Sequence, residues 1–349
     1  GTLYVSSLRY EWNVWSLFER KARTILKYFK KFPQTDARAE CVLSSATNLA
    51  HVPDASIDFV YMDPPFGSNI FYADVSLLWE SWLGELTQTD NEIVVNKHLK
   101  SDTGGKSLDD YQALMTAAFS EVRRVLKPGA RAVLVFSNTN DAVWESIRCA
   151  LRDSRLEVEA TGILDKGQRS IKGVQADLGQ QQVTRVDLIL TLRQGEFPAS
   201  GSSDAITRSI TEHIREVLTD APTASLPTDR IFSRVIERLI GQGQSVSGVS
   251  MAAVEDACLR TCRRRDDGSW VLEHRADYIP VESPYGCIAE EYVGDPAVIV
   301  NHDTTSLEVV EPLTDAVPGS RNTALYNAHS YMTKVPPEAI VPFLEHYTR

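Results

Sequence analysis

The residues best suited to chemistry stand in one run, Asp63-Pro64-Pro65-Phe66, directly after an apolar stretch, Phe59 to Met62. A carboxylate, two prolines and an aromatic ring in that order suit an amino group carried on a flat ring. Pro64 and Pro65 must end any strand before them, because proline lacks an N–H for the ladder and restricts the preceding residue. The rigid turn would aim the Asp63 carboxylate and the Pro64 carbonyl the same way, as two acceptors for one exocyclic NH2. Phe66 would give the ring a face to stack on, and Tyr61 or Tyr72 would line the pocket. In an open α/β sheet the carboxyl ends of strands are where ligands bind.

Elements able to hold such a turn follow in order. Tyr111 to Leu126 has Leu114, Ala118, Val122 and Leu126 at helical spacing, and Lys127-Pro128-Gly129 should stop that helix. Arg131–Phe136 is a strongly apolar strand, Val143–Leu151 a helix, and Leu156–Leu164 and Val186–Leu192 two more strands. This strand-helix rhythm predicts a doubly wound sheet. Two polar inserts interrupt it. Thr87–Lys106 reads as a lid hinged at Gly104-Gly105, and Asp165–Thr184 as a surface loop whose Lys166, Arg169 and Lys172 could approach phosphates.

Further on, residues 194–227 turn to Gly, Ser, Pro and Thr, a linker interrupted by a helix at Asp204–Leu218. Arg230–Ile240 and Met251–Arg264 then predict two helices, with a strand at Ser269–Glu273. Helix, turn, helix and strand suit a small winged-helix-like module, a shape that binds DNA in many proteins and only packs in many others.

The chain has 349 residues, 43% of them hydrophobic, enough for a sizeable core in two domains. No run approaches the roughly 18 apolar residues of a membrane span. A net charge of −11 argues against a nucleic-acid partner in bulk, yet the basic residues are not evenly spread. Arg20, Lys21, Arg23, Lys27, Lys30 and Lys31 crowd one predicted helix, and Arg260, Arg263, Arg264 and Arg265 the end of another, so either could meet phosphates or simply face solvent. Five scattered cysteines fit a reducing cytoplasm, and Cys258 and Cys262 lack the second Cys or His pair of a metal site.

The Asp63–Phe66 element resembles the catalytic motif of the amino-group DNA methyltransferases, which methylate adenine at N6 or cytosine at N4. Its flanks match too. Cys41–Leu49 with Pro53-Asp54-Ala55-Ser56-Ile57-Asp58 resembles the strand, short helix and turn before the motif, and Gly67–Asp74 through Trp79–Gly84 resembles a subgroup of large bacterial and archaeal enzymes. The likeness covers most of residues 1–194 and is most specific over 58–84.

The resemblance implies an α/β, Rossmann-like class I methyltransferase sheet, incomplete or permuted, whose last strand lies antiparallel between its neighbours, with a smaller helical, winged-helix-like C-terminal module. It implies Asp63, Pro64, Pro65 and Phe66 as catalytic residues and S-adenosylmethionine as cofactor, held by Asp63, Ser45, Ala46, Asn327, His329, Ser330, Thr333 and Pro336. DNA would be the partner, its target base flipped out, with Lys27, Lys30, Lys31, Lys166, Arg169 and Lys172 on phosphates. An Asp at the first motif position favours adenine N6 over cytosine N4. No metal is implied, and the setting would be a bacterial or archaeal cytoplasm.

One departure stands out. Ala324 to Glu338 resembles the segment that lies beside the methionine part of the cofactor and precedes a glycine-rich cofactor strand, yet no such strand occurs in the chain. Beginning at Gly1-Thr2-Leu3 without methionine, the chain reads as a processed or excised piece. The expected division is a catalytic domain over 1–194, a linker with one helix over 195–227, the module over 228–320, and a segment returning to the catalytic domain over 321–349. A further segment or a second polypeptide would carry the glycine-rich part. Two alternatives stay open: an inactive DNA-binding or assembly subunit, and an amino-methyltransferase acting on RNA or protein.

Overall fold

A computed structural model describes residues 13–31, 38–68, 70–100, 103–165, 186–196, 210–221, 225–272, 317–318 and 337–348. Helix α1 (Val14–Lys31) precedes strand β1 (Ile57–Met62), which leads through the Pro-Pro turn into α2 (Tyr72–Leu83). Then come α3 (Leu108–Val125), β2 (Leu126–Phe136), α4 (Asp141–Asp153), β3 (Leu156–Asp165) and β4 (Val186–Gln194).

The sheet runs β1-β2-β4-β3, with β1 parallel to β2 and β4 antiparallel to both β2 and β3. The antiparallel strand between its neighbours is the arrangement that the resemblance implied. A two-residue strand, β7 (Val317–Pro318), pairs parallel with the end of β3. Among the described residues β1 is an edge strand, paired only with β2.

Helices cover both faces, which explains why β2 is apolar without alternation. Ala132, Leu134 and Phe136 face α3 and α4 in the larger buried cluster. Val133 and Val135 join a smaller cluster with Ile189 and Phe343 under α8 (Pro337–Tyr347). Helix α3 starts at a capping box, in which the Ser107 hydroxyl accepts from the Asp110 amide and the Asp110 carboxylate accepts from the Ser107 amide at 2.8 Å. Its buried face, Tyr111, Met115, Ala118, Phe119 and Val122, has helical spacing.

Past the sheet lie α5 (Ile210–Asp220), α6 (Thr228–Gly241), α7 (Met251–Thr261) and a hairpin of β5 (Cys262–Arg264) and β6 (Trp270–Leu272). Leu226 bridges to Trp270, giving the order helix, strand residue, helix, helix, hairpin. Ile231, Phe232, Val235 and Ile236 of α6 share one buried cluster with Leu188 and Leu190 of the sheet. Polar clamps fix this seam: the Glu145 carboxylate accepts from the Ser245 hydroxyl and the Val246 amide, and Asp141 from the Gly248 amide.

Three expectations need correction. No strand or helix forms over 41–49; Ser45 and Asn48 close a small bridged turn, whose polar side chains bond locally instead of to a ladder. The second module helix ends at Thr261, because Cys262 turns extended to pair with Leu272. The insert over 87–106 is no simple hinged lid: Val94 and Val95 are buried, Asn96 and Lys106 pair backbone to backbone, and the Lys106 ammonium donates to the Thr89 and Glu92 carbonyls. Gly105 lies so close to the Leu99 carbonyl that a Cβ there would collide with it.

Candidate active site

Strand β1 delivers Asp63 to the carboxyl edge of the sheet, where β2 also ends and antiparallel β4 begins. Asp63 is exposed at this edge, while Pro64, Pro65 and Phe66 are half-buried. The turn is held by its carbonyls. Tyr111 Oη donates to the Pro65 carbonyl at 2.7 Å, Asn138 Nδ2 to the Phe66 carbonyl at 3.1 Å, and the Val95 amide to the Gly67 carbonyl at 3.3 Å. Among the described residues no donor reaches the Pro64 carbonyl. Three successive carbonyls are therefore committed to the scaffold, whereas the one beside Asp63 makes no hydrogen bond with the described residues.

Those donors are themselves fixed. Asn138 accepts from the Asn140 amide at 2.8 Å through Oδ1, and its carbonyl accepts from Trp144 Nε1 at 2.9 Å. Burial pushes the Tyr111 phenol up, against a smaller opposing pull from the Gly67 backbone, so it remains a protonated donor. Gly67 is buried at φ +73°, in the left-handed region that disfavours side chains.

Phe66 serves the fold as well as the edge. Its ring meets Phe136 edge-on at 5.0 Å between centroids, and Phe136 meets Trp144 at 4.8 Å. A stacking role must use the part of the ring that this contact leaves open. Tyr61 lies just inside the edge. Its phenol is pushed up by burial and then by the Asp63 and Asp187 carboxylates, and its hydroxyl finds no hydrogen-bond partner among the described residues. Asp187, only 2% exposed, is the second residue of β4 and lies opposite Leu164. Nothing in the sequence singles it out, because it looks like the polar start of an apolar strand.

The other expected site residues are not gathered here. Ser45 and Ala46 belong to the bridged turn whose following residues are tied to the far end of α3, where Glu121 accepts from the Leu49 amide and Arg124 donates to the Leu49 and Val52 carbonyls. Asp63 lies by the opposite end of that helix, near Tyr111. Lys27 and Lys30 are exposed on α1, and Lys31 belongs to the same helix. Asn327, His329, Ser330, Thr333, Pro336, Lys166, Arg169 and Lys172 lie outside the described residues. Sequence reasoning missed Tyr111 and Asn138 as holders of the turn. The available signals were a hydroxyl on the apolar face of α3 and an amide just past the end of β2.

No protein-family model matches the chain, and no characterised relative matches it in sequence. Among solved structures, the PvuII cytosine-N4-specific DNA methyltransferase aligns at 11% identity and a TM-score of 0.31, over 47% of this chain and 52% of that one. A protein of Thermus thermophilus assigned as a DNA modification methylase, solved with S-adenosyl-L-methionine, aligns at 19% identity and a TM-score of 0.26, over 50% and 58%. A SAM-dependent methyltransferase of Methanosarcina mazei aligns at 14% and 0.26, over 49% and 76%. The chain spans about half the length of the first of these. The fold described above rests on the chain's own geometry.

Proposed function

We propose that this chain carries the target-amine half of an S-adenosylmethionine-dependent DNA methyltransferase, with adenine N6 favoured over cytosine N4. One observation carries the reading: the Asp63–Phe66 turn sits at the carboxyl edge of the sheet with the Pro65 and Phe66 carbonyls tied down. Asp63 and the Pro64 carbonyl would accept the two hydrogens of an exocyclic amine and draw its lone pair out of conjugation with the base. Fixed acceptors of this kind stabilise charge developing on the nitrogen without reorganising. The amine becomes reachable only once the base leaves the duplex stack. S-adenosylmethionine would supply the methyl group.

The described residues offer acceptors for the amine but no backbone cradle for that cofactor. The open edge of β1 suggests where one belongs. Tyr347 stacks on Phe59 at 5.8 Å and Phe343 packs on Tyr61 at 6.5 Å, so α8 runs antiparallel to β1 and finishes over the start of that strand. A glycine-rich strand entering there, joined after Arg349 or supplied by a second polypeptide, could pair parallel to β1 and end beside Asp63. The inactive-subunit reading has no comparable support, since it leaves the tethered turn without a purpose.

The test is Asp63→Ala in the chain complemented with such a segment, read by transfer of labelled methyl groups to DNA. Loss of one transition-state acceptor should lower transfer by on the order of 10²-fold or more. Transfer near the wild-type rate, with the circular dichroism spectrum unchanged, would remove Asp63 from the mechanism.

A further inference from the structure

The hairpin of β5 and β6 carries three consecutive arginines, Arg263, Arg264 and Arg265, all of them exposed. None forms an ion pair among the described residues, in a chain whose net charge is −11. Arg260, in the last turn of α7, is by contrast held by Asp256. The triplet is ordered without being neutralised. The Arg264 guanidinium lies 5.6 Å from the centre of the Trp270 ring, which is buried and whose Nε1 donates to Thr228 Oγ1 at 2.8 Å. Arg265 Nη1 donates to the Ser225 hydroxyl at 3.3 Å. Asp266 and Asp267 follow, and all five residues line one open concavity. The Asp267 carboxylate, however, is turned onto the Ser269 amide and hydroxyl, at 2.9 and 2.6 Å, and an arginine reaches further from the backbone than an aspartate. Guanidinium groups so placed keep N–H donors for an anion such as phosphate.

The hairpin hangs from the same edge of the sheet as the Asp63 turn. Phe232 and Ser233, in the second turn of α6, line a small space with Asn138, which holds the Phe66 carbonyl. Further along α6, Glu237 accepts from the Thr161 hydroxyl in the middle of β3. Helix α6 therefore begins at the carboxyl edge and runs back from it, and Trp270 is fixed to its first residue. We propose that Arg263, Arg264 and Arg265 grip the phosphate backbone of the duplex that flanks the base presented to Asp63. This role rests on the DNA methyltransferase reading above and adds to it the element that holds the duplex. The exposed face of α7 is a weaker candidate, since it offers Asp256 and Leu259 beside the paired Arg260. Contacts to phosphate fix position without reading sequence.

Fluorescence anisotropy of a labelled duplex, titrated with the full chain at several salt concentrations, tests this without need of methyl transfer. Each phosphate contact contributes about 0.9 to the slope of log affinity against log salt. Arg263→Ala/Arg264→Ala/Arg265→Ala should therefore flatten that slope by roughly 2–3 and weaken binding equally for unrelated sequences, with the wild-type circular dichroism spectrum. The corresponding triple lysine variant keeps the charges and should keep the wild-type slope. A wild-type slope in the alanine variant, or a lysine variant as flat as the alanine one, overturns the clamp and leaves DNA as the partner. A wild type that binds no duplex at low salt, or that prefers single-stranded RNA of the same length, overturns the clamp and the choice of DNA together.

Discussion

The Tyr111 hydroxyl donates a 2.7 Å hydrogen bond to the Pro65 carbonyl across 46 positions of sequence, and through it the first turns of α3 hold the Pro-Pro turn in place. Asn138 does the same for the next carbonyl from the end of β2. Tyr111→Phe should destabilise the protein by about 1–3 kcal/mol, because the carbonyl loses a buried partner that water cannot easily replace. Asn138→Ala should cost a similar amount. As the two bonds fix adjacent carbonyls, the double variant should depart from additivity by roughly 0.5 kcal/mol or more. Urea titrations of the four proteins measure this, and strict additivity would mean that the turn is held elsewhere.

Phe66 links the turn to Phe136 by an edge-on contact, and this separates two roles for the ring. Base stacking alone would make Phe66→Ala a binding defect of about 1–3 kcal/mol with stability untouched. Packing against Phe136 predicts an added stability loss, below the roughly 3–5 kcal/mol of a fully buried Phe→Ala because the ring is only half-buried. Thermal melting and the 2-aminopurine extrusion signal should therefore both fall. A change in the fluorescence signal alone would leave stacking as the whole of its contribution.

Glu145 fastens α4 to the loop before α7, and its ionisation gives that seam a pH dependence. Burial pushes the carboxyl up, but hydrogen bonds from Arg148, the Val246 amide and Ser245, with the Arg148 charge, outweigh it and bring it below its ordinary value. A carboxyl depressed in the folded state contributes stability that is fully present above its unfolded pKa and lost as pH falls through the folded one. Hydrogen exchange of the Val246 amide should therefore be slow relative to an unstructured amide at neutral pH and lose protection only as the pH falls below the ordinary carboxyl range. In Glu145→Gln the protection should be weaker at neutral pH and nearly independent of acid. A Val246 amide that responds equally to acid in both proteins would place the sensitive group elsewhere.

Much of this was legible in the sequence because the informative residues act locally. The prolines ended β1 where they stand, and apolar runs such as Arg131–Phe136 and Val186–Leu192 fell on buried strands. The antiparallel β4 was implied by the resemblance to methyltransferase sheets and not by periodicity or spacing. Long-range partnerships were not legible: nothing near Tyr111 announces Pro65, and nothing near Glu145 announces Val246. The lid reading of 87–106 failed for a related reason. Val94 and Val95 are too few to register as a core segment, yet the Val95 amide donates to the Gly67 carbonyl, just past the Pro-Pro turn. Cys41–Leu49 misled in the other direction, as the Ser45 and Thr47 hydroxyls pair and Ser44 donates to the Asn48 carbonyl in a turn where a strand and a short helix were expected.

The most exposed prediction concerns the cofactor. The chain presents Asp63 and the Pro64 carbonyl at a sheet edge, and its sequence has no glycine-rich strand-turn to pair beside β1. A ligand of nucleoside size needs a concave and largely preformed site, and half of one binds far more weakly than the whole. Calorimetric titration of the 349-residue chain with S-adenosylmethionine should therefore show weak heat or none. Adding a polypeptide that carries a glycine-rich strand, turn and helix, fused after Arg349 or mixed in, should produce one-to-one binding. It should also slow amide exchange along β1 from Phe59 to Met62 as the open edge gains a partner strand. Tight binding by the chain alone would mean that the cradle is already present within it, and that the open edge of β1 serves some other end.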